Sequence, residues 1–380
     1  MPVSAAIARR YGILDQPGQR KVHQRPTPRA GGIAVWAAFT LVVLTGFIGA
    51  PALGRNGWFI AHFGPEIAML REAYRVGDKL LAVVLGGSIA FGVGLLDDVL
   101  GRKFGPGWKL AGQTLAALAL LSAGIRTDFL HYTALNSAVT LLWVVGITNA
   151  FNLLDNMDGL SAGVALTASA VLALNAFLLG EFFISLVLMA FMGTLLGFLV
   201  FNWSPASIFL GDCGSLFVGF TLASLTLLEH FVTHASSSYF PVLMPVLVLA
   251  LPIVDTTTVV VIRLREGRPI YVGDSRHLSH RLVSLGMSPR LAVLTIYLIA
   301  LGIGLGAVAL PHAGLVVSVI LLVQALAMIA VVLVLLFYDR RIPTRVLTWR
   351  PEAPAAEAAA PLTAAAPLAE PAPRERGATR

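Results

Sequence analysis

Charge is what this chain has least of. Asp, Glu, Lys and Arg make up 12% of its 380 residues, about half the share of an ordinary soluble domain. So little charge cannot clothe the surface of a soluble protein this long, and the bilayer has to act as solvent for much of it. A hydrophobic share of 57% and a mean hydropathy of +0.81 agree. Cysteine is nearly absent. With Cys213 alone, neither an intramolecular disulfide nor a thiolate zinc cluster can form. The opening stretch, MPVSAAIARRYGILDQPGQRKVH, lacks the apolar core of a signal peptide, which leaves insertion to internal segments. The net charge of +7 would suit nucleic acid, but the Lys/Arg bias of cytoplasmic loops gives the same balance. No nucleic-acid partner is expected.

What is present is a series of apolar runs. At about 17–20 residues per span, ten segments qualify: 31–50, 80–96, 109–124, 135–150, 160–179, 182–201, 213–231, 240–262, 291–310 and 314–337. Two of them, 109–124 and 135–150, are short. The expected fold class is all-α, a polytopic membrane helix bundle of about ten transmembrane helices with a cytoplasmic active-site cleft. Three regions are expected: a basic cytoplasmic segment (1–30), the membrane-embedded catalytic domain (31–337), and a basic, then Ala/Pro-rich tail (338–380). The tail has too few large apolar groups to offset the entropy of ordering. Placing the N-terminus inside puts 22 of the 27 Lys and Arg on the inner face, as the positive-inside rule requires. The expected location is the inner (plasma) membrane, with both termini cytoplasmic.

Five polar clusters then fall on that same face: RKVHQRPTPRAGG, GLLDDVLGRKFGPGWKLAGQ, ITNAFNLLDNMDGLSAG, FNWSPASIFLGDCGSLFVGF and RLREGRPIYVGDSRHLSHRL. Asp97, Asp98, Asp155, Asp158 and Asp212 lie near one boundary. A carboxylate in mid-bilayer costs about 2.5–3.5 kcal/mol, so acids gathered at span ends point to a task. Hard oxygen donors suit Mg²⁺ or Mn²⁺, and the basic loops suit anionic oxygens. Together they make the parts list of phosphoryl transfer. Each item also has a plainer reading. Asp97–Asp98 could simply mark a span end, and Asp212 could be the N-cap of the seventh span. His277 and His280 could lie on a solvated face. Asp255, inside the eighth span, is expected to bond a neighbouring helix. Asn149, Asn152 and Asp155 recur every third residue, so a continuing helix would align them on one ridge.

From Gly12 to Pro289 the chain resembles the polyprenyl-phosphate N-acetylhexosamine-1-phosphate transferases. The resemblance rests on RKVHQRPTPRAGG, GLLDDVLG with its downstream KL, NAFNLLDNMDGLSAG, PASIFLGDCGS and DSRHLSHRL, in that order. It implies a Mg²⁺-dependent reaction in which a polyprenyl phosphate attacks the β-phosphorus of a UDP-N-acetylhexosamine, releasing UMP. By the same resemblance, Asp97 and Asp98 lie near the lipid phosphate, with Asp98 as the base. Asp212 is the principal metal ligand, and Asn152 is a further metal- or pyrophosphate-contacting amide. Lys109 binds phosphate, and Asp155 and Asp158 line the nucleotide pocket. Arg276, His277 and His280 hold the diphosphate and sugar. Asn149 and Lys21, from two of the same motifs, complete the substrate-binding candidates, and a homodimer stays open as an assembly. Relatives carry three histidines in the last motif and GDTGS where GDCGS stands here. They also have a first helix where the stretch before RKVH is too short to span. The missing third histidine points to an N-acetylglucosamine-type donor, with the lipid I-forming translocase of peptidoglycan as the alternative. Two other classes fit less well. An ion-coupled transporter would keep its acids near the bilayer midplane, and a CDP-alcohol phosphotransferase would need an Asp-Gly followed by Ala-Arg.

Overall fold

The computed structural model describes residues 1–15, 26–53, 55–58, 60–64, 77–232, 239–270, 274 and 276–338. The chain divides into a compact unit, Met1–Pro343, and a C-terminal unit, Thr344–Arg380. The tail beyond Tyr338 and the candidate Lys21 lie outside the described residues.

Helices dominate because a backbone crossing lipid has to satisfy its own N–H and C=O groups. They are α1 (Pro2–Arg10), α2 (Gly31–Leu53), α3 (Gly77–Leu100), α4 (Pro106–Ser122), α5 (Thr133–Leu154) and α6 (Leu160–Leu178). Then follow α7 (Phe182–Asn202), α8 (Gly211–Leu228), α9 (Met244–Val248), α10 (Ala250–Arg265), α11 (Leu278–Ser284), α12 (Pro289–Val308) and α13 (Leu315–Phe337). Every predicted span is helical, but the number that can cross alone is smaller than ten. Among the described residues, eight helices are long and apolar enough. A ninth crossing forms only if Phe240–Val248 and Ala250–Arg265 count as one, and these two are bent by 68°. Pro252 accounts for the break, since its ring lacks an N–H and clashes with the carbonyl four residues back, at Val248. The predicted span 109–124 becomes α4, whose 17 residues reach about 25 Å, short of a hydrocarbon core of about 30 Å.

The bundle is built around α8. Its most apolar stretch is 89% buried, against 17% for α13, and it packs on α2, α3, α5 and α6. Small residues on α8, among them Gly214, Ser215, Gly219, Ala223 and Ser224, let neighbouring backbones approach, the usual device where lipid removes the hydrophobic drive between helices. Phe39, Phe191 and Phe217 meet edge to face beside it.

Residues 1–15 and 26–30 are more structured than a basic topogenic segment. α1 buries Ser4 and Ala8, and the Ser4 hydroxyl donates to the Ala30 carbonyl. Strand β1 (Leu14–Asp15) pairs antiparallel with β2 (Thr27–Pro28). The residues after β2 then bond to those before α8. Phe209 N–H donates to Pro28 O (2.8 Å), Gly31 N–H to Phe209 O (2.9 Å) and Gly32 N–H to Leu210 O (2.9 Å). This stitching brings Arg29 to the start of α8.

Candidate active site

Four helices and the N-terminal segment converge at the beginning of α8. Asp97 and Asp98 lie in the last turn of α3, Lys109 in the first turn of α4, Asn152 in the last turn of α5 and Asp212 in the first turn of α8. Lys109 Nζ donates to Asp97 Oδ2 (2.8 Å) and to Asn152 Oδ1 (2.9 Å), and it lies 3.4 Å from Asp212 Oδ1. Asn152 Nδ2 donates to Asp212 Oδ1 and to Ser215 Oγ. Arg29 Nη2 donates to Asp212 Oδ2 (2.8 Å), and its Nε lies 3.3 Å from Asp98 Oδ1. Burial alone would lower the Arg29 guanidinium, but Asp212 and Asp98 outweigh it and hold its pKa above the ordinary arginine range. Two cations thus face three carboxylates in a partly desolvated cleft.

Asp212 is not the cap of its own helix. α8 begins one residue earlier, at Gly211, and the capping oxygens come from α3. Asp212 N–H donates to Asp98 Oδ1 (3.0 Å) and Cys213 N–H to Asp98 Oδ2 (2.9 Å). A carboxylate there satisfies orphan donors of the first turn and complements the helix dipole, and it frees the Asp212 side chain to face the cleft. The Asp98 side chain is fully buried, with both oxygens engaged, an arrangement that positions α8. Gly211 has φ +77°, and a Cβ there would meet Asp98 Oδ2 at 2.8 Å, so glycine is required at this turn. Gly94, one turn before Asp98, lies against the α8 backbone: a Cβ on it would stand 2.2 Å from Asp212 O.

The ridge on α5 is partly formed. Asn149 Nδ2 and Gln113 Oε1 bond across α5 and α4, next to the Asn152 contacts. Asp155 takes the C-cap position at the end of α5. Burial raises its carboxyl to about 8, with Arg29 pulling the other way and Asp212, Asp98 and Asp158 adding to the rise. Asp158 Oδ2 accepts from Ala206 N–H (3.0 Å), bracing the loop that leads to α8.

The basic loop is built differently from its expected role. His277 is 2% exposed, and its Nδ1 lies 2.7 Å from Asp255 Oδ2, while Leu278 N–H donates to Asp255 Oδ1. A buried carboxylate on α10 therefore anchors the start of α11, in line with the helix-bonding role expected for Asp255. Arg276 is held by Asp274 and Glu266. His280 stands three residues further on, its pKa lowered by burial and by the neighbouring His277. The loop joins the α5–α6 turn through Ser279 Oγ, which donates to Asn156 Oδ1 (2.6 Å).

Arg29, Ser215 and Gln113 were missing from the sequence-derived set. Arg29 carried a faint signal, since it stands two residues before Gly31-Gly32 at the mouth of the first span. The other two look like ordinary helix residues until their partners are seen.

The donor set fits a divalent ion of the magnesium type, but only in part. Oxygens of Asp97, Asn152 and Asp212 surround the Lys109 ammonium, so this point already accommodates a cation. Among the described residues no group of three or more His, Cys, Asp or Glu could hold a metal alone. Mg²⁺ suits such a site because it takes one or two carboxylates and completes its shell with water and substrate phosphates.

The sequence profile of Glycosyl transferase family 4 matches residues 80–230, the stretch that runs from α3 through α8. The chain is 33% identical over 323 residues to the Bacillus subtilis (strain 168) protein named "Probable undecaprenyl-phosphate N-acetylglucosaminyl 1-phosphate transferase", covering 82% of this chain and 81% of that one. It is 33% identical over 322 residues to the decaprenyl-phosphate N-acetylglucosaminephosphotransferase of Mycobacterium tuberculosis (strain ATCC 25618 / H37Rv), covering 77% and 74%. A phospho-N-acetylmuramoyl-pentapeptide-transferase from Latilactobacillus sakei is 38% identical, but over 135 residues that cover only 32% of this chain and 42% of its own. With a multi-span helical bundle, a cation-compensated acid cluster where its helix ends meet, and relatives 33% identical over 82% and 77% of it, the chain belongs to glycosyl transferase family 4.

Proposed function

We propose that this enzyme transfers N-acetylglucosamine 1-phosphate from a UDP-sugar to undecaprenyl phosphate, releasing UMP, as the first membrane step of a cell-envelope polysaccharide. The observation that carries the reading is the convergence of Asp97, Lys109, Asn152 and Asp212 on one point. Two relatives that match along most of the chain are named as N-acetylglucosamine 1-phosphate enzymes, whereas the muramoyl-pentapeptide relative described above matches along a third of it.

In this mechanism an oxygen of the lipid phosphate forms a bond to the β-phosphorus of the donor, and the bond from that phosphorus to the α-phosphate oxygen breaks. Asp212 and the Asn152 amide oxygen would hold Mg²⁺, which would neutralise charge on the diphosphate. Lys109 Nζ lies within 3.4 Å of one oxygen each of Asp97, Asn152 and Asp212 and is placed to bind phosphate. A phosphate monoester is already largely ionised at neutral pH, so Asp97 serves chiefly to orient Lys109. Positioning and electrostatics carry most of a phosphoryl transfer. The site is taken to face the cytoplasm of the inner membrane, with both termini on that side, and a homodimer is a compatible assembly.

The deciding experiment incubates purified protein with undecaprenyl phosphate, Mg²⁺ and a panel of UDP-sugars, scoring UMP release. Release with UDP-N-acetylglucosamine supports the reading. Release only with the muramoyl-pentapeptide donor moves the enzyme to peptidoglycan synthesis, and release with none refutes the transferase assignment. Sidedness has its own test on a Cys213→Ser background. A cysteine at Lys103 should resist an impermeant thiol reagent in intact cells, and one at Arg126 should react. Both positions are exposed, whereas Ser279 is buried and would make a poor reporter.

A further inference from the structure

Arg29 has a share in this cluster that its two ion pairs do not use up. A guanidinium carries five N–H donors in a fixed plane. Here the Nε and Nη2 edge faces Asp98 and Asp212, which leaves Nη1 without an acceptor among the contacts of this cluster. The side chain is 40% exposed while Asp98 is 0% and Asp212 18%, so the guanidinium spans from a buried carboxylate out to the open cleft. Its backbone is fixed on both sides. Arg29 N–H donates to Ile13 O (3.0 Å), and the flanking residues Pro28, Gly31 and Gly32 bond to Phe209 and Leu210. A residue needed only for topology would gain nothing from a double tether at the tip of α8. A residue needed only to neutralise Asp98 would have no reason to keep its outer edge in solvent.

We propose that Arg29 is a further residue of the transfer site: one edge of its guanidinium holds Asp212 in register while the free edge takes a phosphate oxyanion of a substrate. The inference rests on the phosphoryl-transfer reading above. Planar, two-sided engagement is what separates arginine from lysine at such a point, because an ammonium cannot present two parallel N–H bonds to one anion while bonding a carboxylate behind it. The oxyanion could belong to the lipid phosphate or to the donor diphosphate, and the chemistry at Arg29 is the same for both.

The test begins with the unaltered protein. In detergent, phenylglyoxal should modify Arg29, read by mass spectrometry, and one of two ligands should protect it: undecaprenyl phosphate or UDP-N-acetylglucosamine, each with Mg²⁺. The protecting ligand identifies the source of the oxyanion. Arg29→Lys should then lower kcat/KM for that substrate by about 10²–10³, with KM for the other moving little, and Arg29→Ala should regain part of its activity when guanidinium is added. If neither ligand protects Arg29, or if Arg29→Lys retains its kcat/KM for both substrates, the proposal falls. Footprinting of the unaltered protein decides the matter even where the variants fail to fold. Should the unaltered enzyme turn over none of the UDP-sugars, the functional reading fails, and protection by either ligand still reports whether Arg29 meets a phosphate.

Discussion

The two ends of α8 hold acids in opposite ways. At its start, Asp212 is surrounded by Arg29, Lys109 and Asn152. At its far end, about 27 Å away, Glu229 is 5% exposed and meets no cation among the described residues. Its Oε1 accepts from Asn175 Nδ2, while Glu229 Oε2 and Asn175 Oδ1 are buried without a partner. A buried carboxylate is kept ionised by opposite charge and donors, and one without them is costly in that form. One end of the helix is therefore equipped to work with charge and the other only to join α6 to α8.

The comparison can be broken most directly at Asp212. Asp212→Asn should leave a folded protein in the membrane with under a tenth of the original kcat, because an amide of the same size supplies no charge to the cluster. Retention of more than that, a loss below about 1.4 kcal/mol, would remove Asp212 from the metal-holding role. Next comes Asp98→Asn. An amide can accept from one of the two N–H groups of Asp212 and Cys213 but turns a donor toward the other, and Arg29 loses a counter-charge. We expect a lower Tm together with roughly tenfold slower turnover, on the scale of a lost cap plus a disturbed ion pair. A normal Tm with the same rate loss would instead make Asp98 a direct participant.

Asp155 sharpens the comparison through pH. Its folded carboxyl is raised to about 8, above the unfolded value of about 3.9, so the native state keeps a proton that the unfolded chain releases. The associated stability is fully present below pH 4, declines as pH rises, and is lost above about 8. Tm in detergent should fall between pH 5 and pH 8.5, and Asp155→Asn should flatten that fall by a few degrees. An unchanged slope would mean that solvent or a neighbouring charge already offsets the burial. The smallest effect is expected at Glu229→Gln. A glutamine can donate to Asn175 Oδ1 and remove a buried charge, so Tm should stay equal or rise and activity should remain within about twofold. A large activity loss would erase the distinction between the two ends.

Much of the site could be read from the amino-acid order because the bilayer makes polar residues conspicuous. Asp97, Asp98, Lys109, Asn152 and Asp212 stand out at the ends of apolar runs, and they do converge. What stayed hidden depends on where backbone groups point. The reach of Asp98 to the N–H groups of Asp212 and Cys213 spans more than a hundred residues, and no local pattern encodes a cap supplied by another helix. Arg29 was masked by company, since a segment rich in Lys and Arg reads as topogenic as a whole. The break beside Leu249 was overlooked because hydropathy averages across it, although Pro252 was there to be noticed. The basic loop was legible only through the family resemblance, and the His277 contact the structure adds, to Asp255 twenty-two residues upstream, has no local pattern to announce it.

The close approach at Gly94 has a bearing on how the enzyme can move. With backbone against backbone and no side chain between, α3 and α8 have no room to slide, so Asp97, Asp98 and Asp212 form the fixed jaw of a vise. The short helix α11 is tied down as well, through Leu278 N–H to Asp255 and Ser279 to Asn156, so a methyl group added at Gly94 would misalign the anvil on which the acids sit.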